Sequence, residues 1–152
     1  MPGNVPAYYL PLFDRIAVLD GSVLEGDLID GAGLRQSIGR ELGRLFNTTS
    51  RLTISQYLKA DLTVLDYGLP DFRGLAFDST EVLSELAIVL ERAIQVFEPR
   101  MRQTAVKVSS GADIRAGVTV DIIAAVIVGT QQRRVHFGLD IAPDATLTLT
   151  SS

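Results

Sequence analysis

A chain of 152 residues that is 47% hydrophobic, with mean hydropathy +0.25, suits a single domain burying about 70% of its unfolded surface. That composition excludes a disordered polar chain, and the absence of cysteine excludes disulfides, Cys–metal sites and thiol catalysis while fitting a reducing compartment. The net charge of −4, without a basic excess interleaved with exposed aromatics, argues against a nucleic-acid partner.

Residues 1–30 form a lead-in segment with three prolines and an apolar patch from Tyr8-Tyr9-Leu10 to Leu12-Phe13. Its start, Met1-Pro2-Gly3-Asn4-Val5-Pro6, lacks the basic and apolar regions of a secretory signal. Asp14-Arg15-Ile16 can begin a short helix. This segment is acidic, residues 31–60 are basic except for Glu41, and residues 61–90 set six carboxylates against Arg73 alone. The pattern reads as charge exchange between segments of one fold.

From Asp30 to about Phe46 the spacing of Leu34, Ile38, Leu42 and Leu45 predicts a helix, ended by Asn47-Thr48-Thr49-Ser50. It tolerates Gly39 and Gly43, each at a cost of ~1 kcal/mol, and two glycines four apart suggest the close approach of another backbone. Residues 51–77 read as loop, with a short strand expected at Leu62-Thr63-Val64-Leu65 and a turn at Tyr67-Gly68-Leu69-Pro70-Asp71-Phe72. A second helix follows, with Asp78 and Glu81 expected as a capping box. Leu83, Leu86, Leu90, Ile94 and Phe97 mark its apolar stripe, and Pro99 ends it.

After Pro99 the period becomes two. Val106 and Val108 open a strand, and Ser110-Gly111-Ala112-Asp113 predicts a turn. Residues 118–128 are apolar on nearly both faces, as in a central strand covered on both sides. The run 122–128 within them is far short of the ~18 residues of a membrane helix, so no direct membrane insertion is expected. Val135, Phe137, Leu139 and Ile141 alternate with Arg134, His136, Gly138 and Asp140, giving one wet face. Pro143-Asp144 predicts a turn, and Ala145-Thr146-Leu147-Thr148-Leu149-Thr150 a last strand. No charge or proline within it blocks pairing, so it reads equally as an internal strand or as an edge open to a neighbour. The fold class is α+β: N-terminal helices packed on a C-terminal antiparallel β-sheet, a meander. One domain spans residues 1–152, with lead-in 1–30, helical part 31–100 and sheet part 101–152.

Catalytic chemistry finds little support. His136 stands alone on a polar strand face, no G-x-S-x-G occurs, and the carboxylates lack calcium-loop spacing. Gly31-Ala32-Gly33 lacks the third glycine of a phosphate cradle. Glycoside hydrolysis would need two acids ~5–9.5 Å apart in one cleft, and no second acid accompanies Glu98. No catalytic, cofactor-binding or metal-binding residue is assigned, and no cofactor is expected.

Phe97-Glu98-Pro99-Arg100 stands out instead. A helix C-terminus carries partial negative charge, which disfavours Glu98 by roughly 0.3–1 kcal/mol and favours Arg100. The residue before proline is also pushed out of the helical region, so Glu98 sits at the break itself. A carboxylate placed there calls for a specific partner, in this chain or in another. Reversing Glu98 to lysine separates the cases: weakened partner binding by a folded domain indicates an external contact, and unfolding indicates an internal ion pair.

Three landmarks occur in order: Ser37-Ile38-Gly39-Arg40-Glu41-Leu42-Gly43-Arg44-Leu45-Phe46-Asn47-Thr48, then Tyr67-Gly68-Leu69-Pro70-Asp71, then Ala93-Ile94 with Phe97-Glu98-Pro99-Arg100-Met101. Together with Leu12-Phe13-Asp14-Arg15-Ile16 they resemble the TssE family of type VI secretion baseplate subunits, itself similar to the sheath-initiating wedge protein of contractile phage tails. The resemblance covers residues 12–108 and reaches the later strands only by pattern. It departs after Asn47-Thr48, where Thr49-Ser50-Arg51 replaces an arginine directly following the threonine. It implies a non-enzymatic structural subunit linking the baseplate wedge to the contractile sheath and helping to start sheath assembly. The implied partners are TssF, TssG and TssK in the wedge and TssB and TssC in the sheath. The implied location is cytoplasmic, in a membrane-docked baseplate. By the same resemblance Glu98, Pro99 and Arg100 are partner-binding residues, and residues 134–150 suit strand exchange with sheath. The alternatives are a lysozyme-like cell-wall hydrolase, since some relatives carry that label, a baseplate protein of a phage-tail-like contractile particle, and a self-associating structural protein.

Overall fold

A computed structural model describes residues 31–111, 117–142 and 147–151. Helix α1 is Gly31–Phe46, α2 is Ile54–Lys59 and α3 is Thr80–Phe97. They are followed by strands β1 (Arg102–Ser110), β2 (Val118–Val128), β3 (Gln131–Ile141) and β4 (Leu147–Ser151). The strands form an antiparallel meander in the order β1-β2-β3-β4, so β4 lies at one end of the sheet and β1 at the other. Helices first and sheet last is the expected α+β arrangement. The turns expected at residues 110–113 and 143–144, and the readings of residues 1–30, fall wholly or partly outside the described residues.

The core is the meeting of three apolar stripes. Ile38, Leu42 and Leu45 on α1 are buried, as are Leu86, Val89, Leu90, Ala93 and Ile94 on α3. They face the inner row of the sheet: Val118, Val120, Ile122, Ala124 and Val126 on β2, and Val135, Phe137, Leu139 and Ile141 on β3. Helix α1 lies against β3 and β4, while α3 lies against β1. Each fully buried aliphatic or aromatic side chain here is worth about 1.5–3 kcal/mol against exposure, so these stripes dominate the folding free energy.

Four local readings are corrected. First, β2 alternates between buried and accessible positions, with Ile123 41% and Ile127 47% exposed, so among the described residues it is covered on one face only. Isoleucine and valine are favoured by a strand's backbone even where one face is wet, which is what made the run look covered on both sides. Second, residues 62–65 are not a strand. The Thr63 hydroxyl accepts from the Leu65 N–H and Asp66 reaches back to the Thr63 N–H, winding Val64–Asp66 into a 3-10 turn. Upstream, Thr53 and Gln56 form a reciprocal capping box that starts α2 within the segment read as loop. Third, Ser79 rather than Asp78 caps α3, accepting from the Val82 N–H at 3.2 Å. Fourth, the α1 glycines meet no neighbouring backbone among the described residues. A Cβ on Gly39 would meet the Phe137 ring at 3.4 Å, and one on Gly43 would meet nothing within 4 Å.

Candidate functional site

The final turn of α3 ends at Glu98, whose N–H still donates to the Ile94 carbonyl at 2.8 Å while its own backbone has left the helix (φ −128°, ψ 72°). Pro99 cannot continue the ladder. The chain reverses in one turn, with the Met101 N–H donating to the Glu98 carbonyl at 3.1 Å, and Met101 is buried at the start of the sheet. This corner sets the angle between α3 and β1.

Glu98 and Arg100, two residues apart across the proline, meet fork to fork. Arg100 Nε donates to Glu98 Oε1 at 2.7 Å and Nη2 to Oε2 at 2.7 Å, and the Arg100 main-chain N–H adds a third bond to Oε1 at 3.2 Å. The side chains are 2% and 8% exposed respectively. The remaining Arg100 nitrogen, Nη1, reaches Ser37 Oγ on α1 at 3.0 Å. The partner demanded by a carboxylate at a helix C-terminus is therefore Arg100 of the same chain. Pro99, between them, is exposed.

A second link crosses the same seam. Tyr67 Oη donates to Glu41 Oε1 at 2.8 Å, and Arg44 Nη1 donates to Glu41 Oε2 at 3.3 Å. The Tyr67 ring packs edge-on against Phe97, with centroids 5.3 Å apart. Burial, reinforced by the Glu41 carboxylate, pushes the Tyr67 phenol far above its ordinary value. Tyr67 is held in place by its own loop. The Leu69 N–H donates to the Thr48 carbonyl at 2.8 Å, and the Ser50 N–H donates to the Leu69 carbonyl at 2.7 Å. Gly68 makes that approach possible: its φ is +115°, and a Cβ would fall 2.3 Å from the Thr48 carbonyl oxygen. Tyr57 of α2 seals the underside, donating to the Gly68 carbonyl at 2.8 Å. Its complete burial raises the phenol pKa to about 12.

The three sequence landmarks thus close on one another. The first supplies Ser37 and Glu41, the second Tyr67, and the third Phe97, Glu98 and Arg100. Sequence reasoning singled out Glu98, Pro99 and Arg100 but missed Ser37, Glu41 and Tyr67 as their companions. A signal existed for Glu41: it is the lone acid of a basic segment, and it stands on the buried stripe beside Leu42 and Leu45.

The chemistry available here is cohesive. Each acid of the seam is engaged by an arginine or a tyrosine, and no cluster of three or more His, Asp or Glu suited to a metal exists among the described residues. His136 lies on the outer sheet face, with Nε2 3.1 Å from Asp121 Oδ1. Among the described residues no helix is long and apolar enough to cross a membrane.

Beyond the corner, one edge of the sheet is only partly paired among the described residues. Strand β4 pairs with residues 137–141 of β3 only, so along residues 131–136 the side of β3 opposite β2 carries no strand among the described residues.

Neither the curated proteins nor the solved structures compared contain a match to this chain. A family model does match: that described as baseplate wedge protein gp25, over residues 32–132, from the first turn of α1 into β3 and thus across all three landmarks. With two-thirds of its length matched, the chain belongs to the gp25-like baseplate wedge family, of which TssE subunits are part, and its role is that of a structural protein of a phage-tail-like baseplate.

Proposed function

We propose that this chain is the TssE-type subunit of a type VI secretion baseplate, a non-enzymatic adaptor that joins the wedge to the contractile sheath and helps the first sheath ring assemble. The observation that carries this reading is the half-edge of β3 at residues 131–136, which lies in line with β4 and carries no strand among the described residues. A sheath strand entering that lane would add main-chain hydrogen bonds without rearranging the sheet. The partners are TssB and TssC at this edge and TssF, TssG and TssK at the wedge side, where Glu98, Pro99 and Arg100 shape the contact. Its place is cytoplasmic, on a baseplate docked at the membrane.

Co-purification from the native host, followed by hydrogen exchange, tests the proposal. The full chain should bring TssF and TssG with it, and amides of residues 131–136 that exchange fast in the free chain should slow when TssB and TssC bind. Capture of phage-tail components instead would place the chain in a phage-tail-like particle. A sheath complex that leaves those amides fast would refute the strand-addition mode. Cell-wall clearing abolished by Glu98→Gln would overturn the non-enzymatic reading.

A further inference from the structure

At the end of α3 remote from Glu98, residues 80–88 line a shallow groove of about 540 Å³ whose opposite wall is Leu58 of α2. Its lining is mainly apolar, from Leu58, Val82 and Ile88, and Ile88 is 56% exposed. Along the rim stand Glu81 and Glu85, exposed, one helical turn apart, and without a hydrogen-bond or ion-pair partner among the described residues. None of the sequence landmarks uses this surface.

We propose that the groove docks a basic amphipathic helix of another protein. Apolar side chains at helical spacing would fill the space between Leu58, Val82 and Ile88, and flanking Lys or Arg residues would meet Glu81 and Glu85. Charge selects this occupant over the others at hand. Residues 1–30 of the chain itself carry five carboxylates against one arginine, a charge that does not complement the acidic rim. A second copy docking the same face would bring two acidic linings together with no Lys or Arg among the groove residues to offset them. A cationic helix alone neutralises the rim while covering the apolar floor. The floor supplies affinity, and the rim supplies orientation and encounter rate. The groove occupies the first half of the 18-residue α3 and the corner its far end, so one rigid helix offers two separate contacts.

The test uses the full chain and two labelled amphipathic helical peptides, one of leucine and lysine and one of leucine and glutamate, read by fluorescence anisotropy. The Leu–Lys peptide should bind and the Leu–Glu peptide should not. Glu81→Gln with Glu85→Gln should weaken Leu–Lys binding by about tenfold, and Ile88→Ser by a similar factor. The pair Asp121→Asn with Asp140→Asn makes the same change in net charge on the sheet's outer face and should change binding less than about twofold. All these positions are at least partly accessible, and circular dichroism confirms that each variant is folded. Equal loss in both charge pairs, binding of the Leu–Glu peptide, or indifference to Ile88→Ser would overturn the proposal. A concentration-dependent dimer abolished by Ile88→Ser would overturn it in favour of a second copy.

Discussion

Replacing Arg100 by methionine removes the guanidinium while keeping most of the side-chain volume. Glu98 would then remain 2% exposed, with the main-chain N–H of residue 100 at 3.2 Å as the surviving donor among the bonds that Arg100 supplies. Stranding a buried charge in this way costs about 3–5 kcal/mol. In a domain of this length each kcal/mol moves the midpoint by about 2–4 °C, so Arg100→Met should melt about 6–20 °C below the wild type. Removing both charges, as Glu98→Leu with Arg100→Met, strands nothing and should recover most of the loss. Arg100→Lys keeps the charge but loses the fork, and belongs between the two. Urea denaturation followed by circular dichroism reads all three. An Arg100→Met variant within about 1 kcal/mol of the wild type, or a double variant as unstable as the single, would refute the buried-pair argument. The same reasoning revises the outcome expected for Glu98→Lys: two cations in one buried seam unfold the domain before any partner is offered.

Three other outcomes follow from the seam and its glycines. Tyr67→Phe should cost about 1.5–3 kcal/mol in urea unfolding, because the lost bond is to a buried carboxylate. Gly68→Ala, at φ +115° and facing the Thr48 carbonyl, should cost more than about 3 kcal/mol, whereas Gly43→Ala, with open space around it, should gain about 0.5–1 kcal/mol. A thermal-shift comparison of the two alanine variants checks the opposite signs. The Tyr57 phenol, held neutral by burial, should titrate near 12 in the folded chain, against 10.0 when exposed. Its raised pKa contributes stability in full below the unfolded value, and that stability is lost as pH rises through about 12. The difference in tyrosinate absorbance between wild type and Tyr57→Phe reports this, and titration near 10 would show the ring to be solvated.

The long elements were legible because their apolar periods are unbroken. Leu34 to Leu45 and Leu83 to Phe97 describe stripes that burial follows closely, and the alternation of Val135 to Ile141 places every inward residue of that part of β3. The short elements were not. Thr53 with Gln56, and Thr63 with Asp66, start helical turns through side-chain bonds too local to leave a period, and the β-branched residues around them favour extended backbone in isolation. The seam was half legible. A carboxylate against the helix dipole advertised its need for a partner, but whether that partner lay inside the chain depended on the turn at Pro99. Ser37 is brought to Arg100 across 63 residues, and Tyr67 to Glu41 across 26, by tertiary packing that carries no sequence signature.

That geometry also decides how the Glu-Pro-Arg corner can serve assembly. Glu98 has its oxygens turned to Arg100 and has almost no accessible surface, so a partner docking at this corner would have to meet exposed Pro99 and the neighbouring exposed Arg102 and Gln103. Gln103 has φ +50° and begins a bulge in β1, which turns this backbone away from the regular ladder toward solvent. Two mechanisms then make different forecasts. If the corner acts by direct contact, Pro99→Ala and Arg102→Ala, each expected to move stability by no more than about 1 kcal/mol, should weaken capture of the wedge proteins at unchanged melting temperature. If it acts by fixing the angle between α3 and the sheet, those two should bind normally. Binding should then fall only in variants such as Arg100→Met, in proportion to their loss of stability, and return in the charge-free double variant. A double variant that regains stability without regaining binding would exclude the angle-fixing account, because fold and helix–sheet geometry would be restored while the partner still discriminated the missing charges.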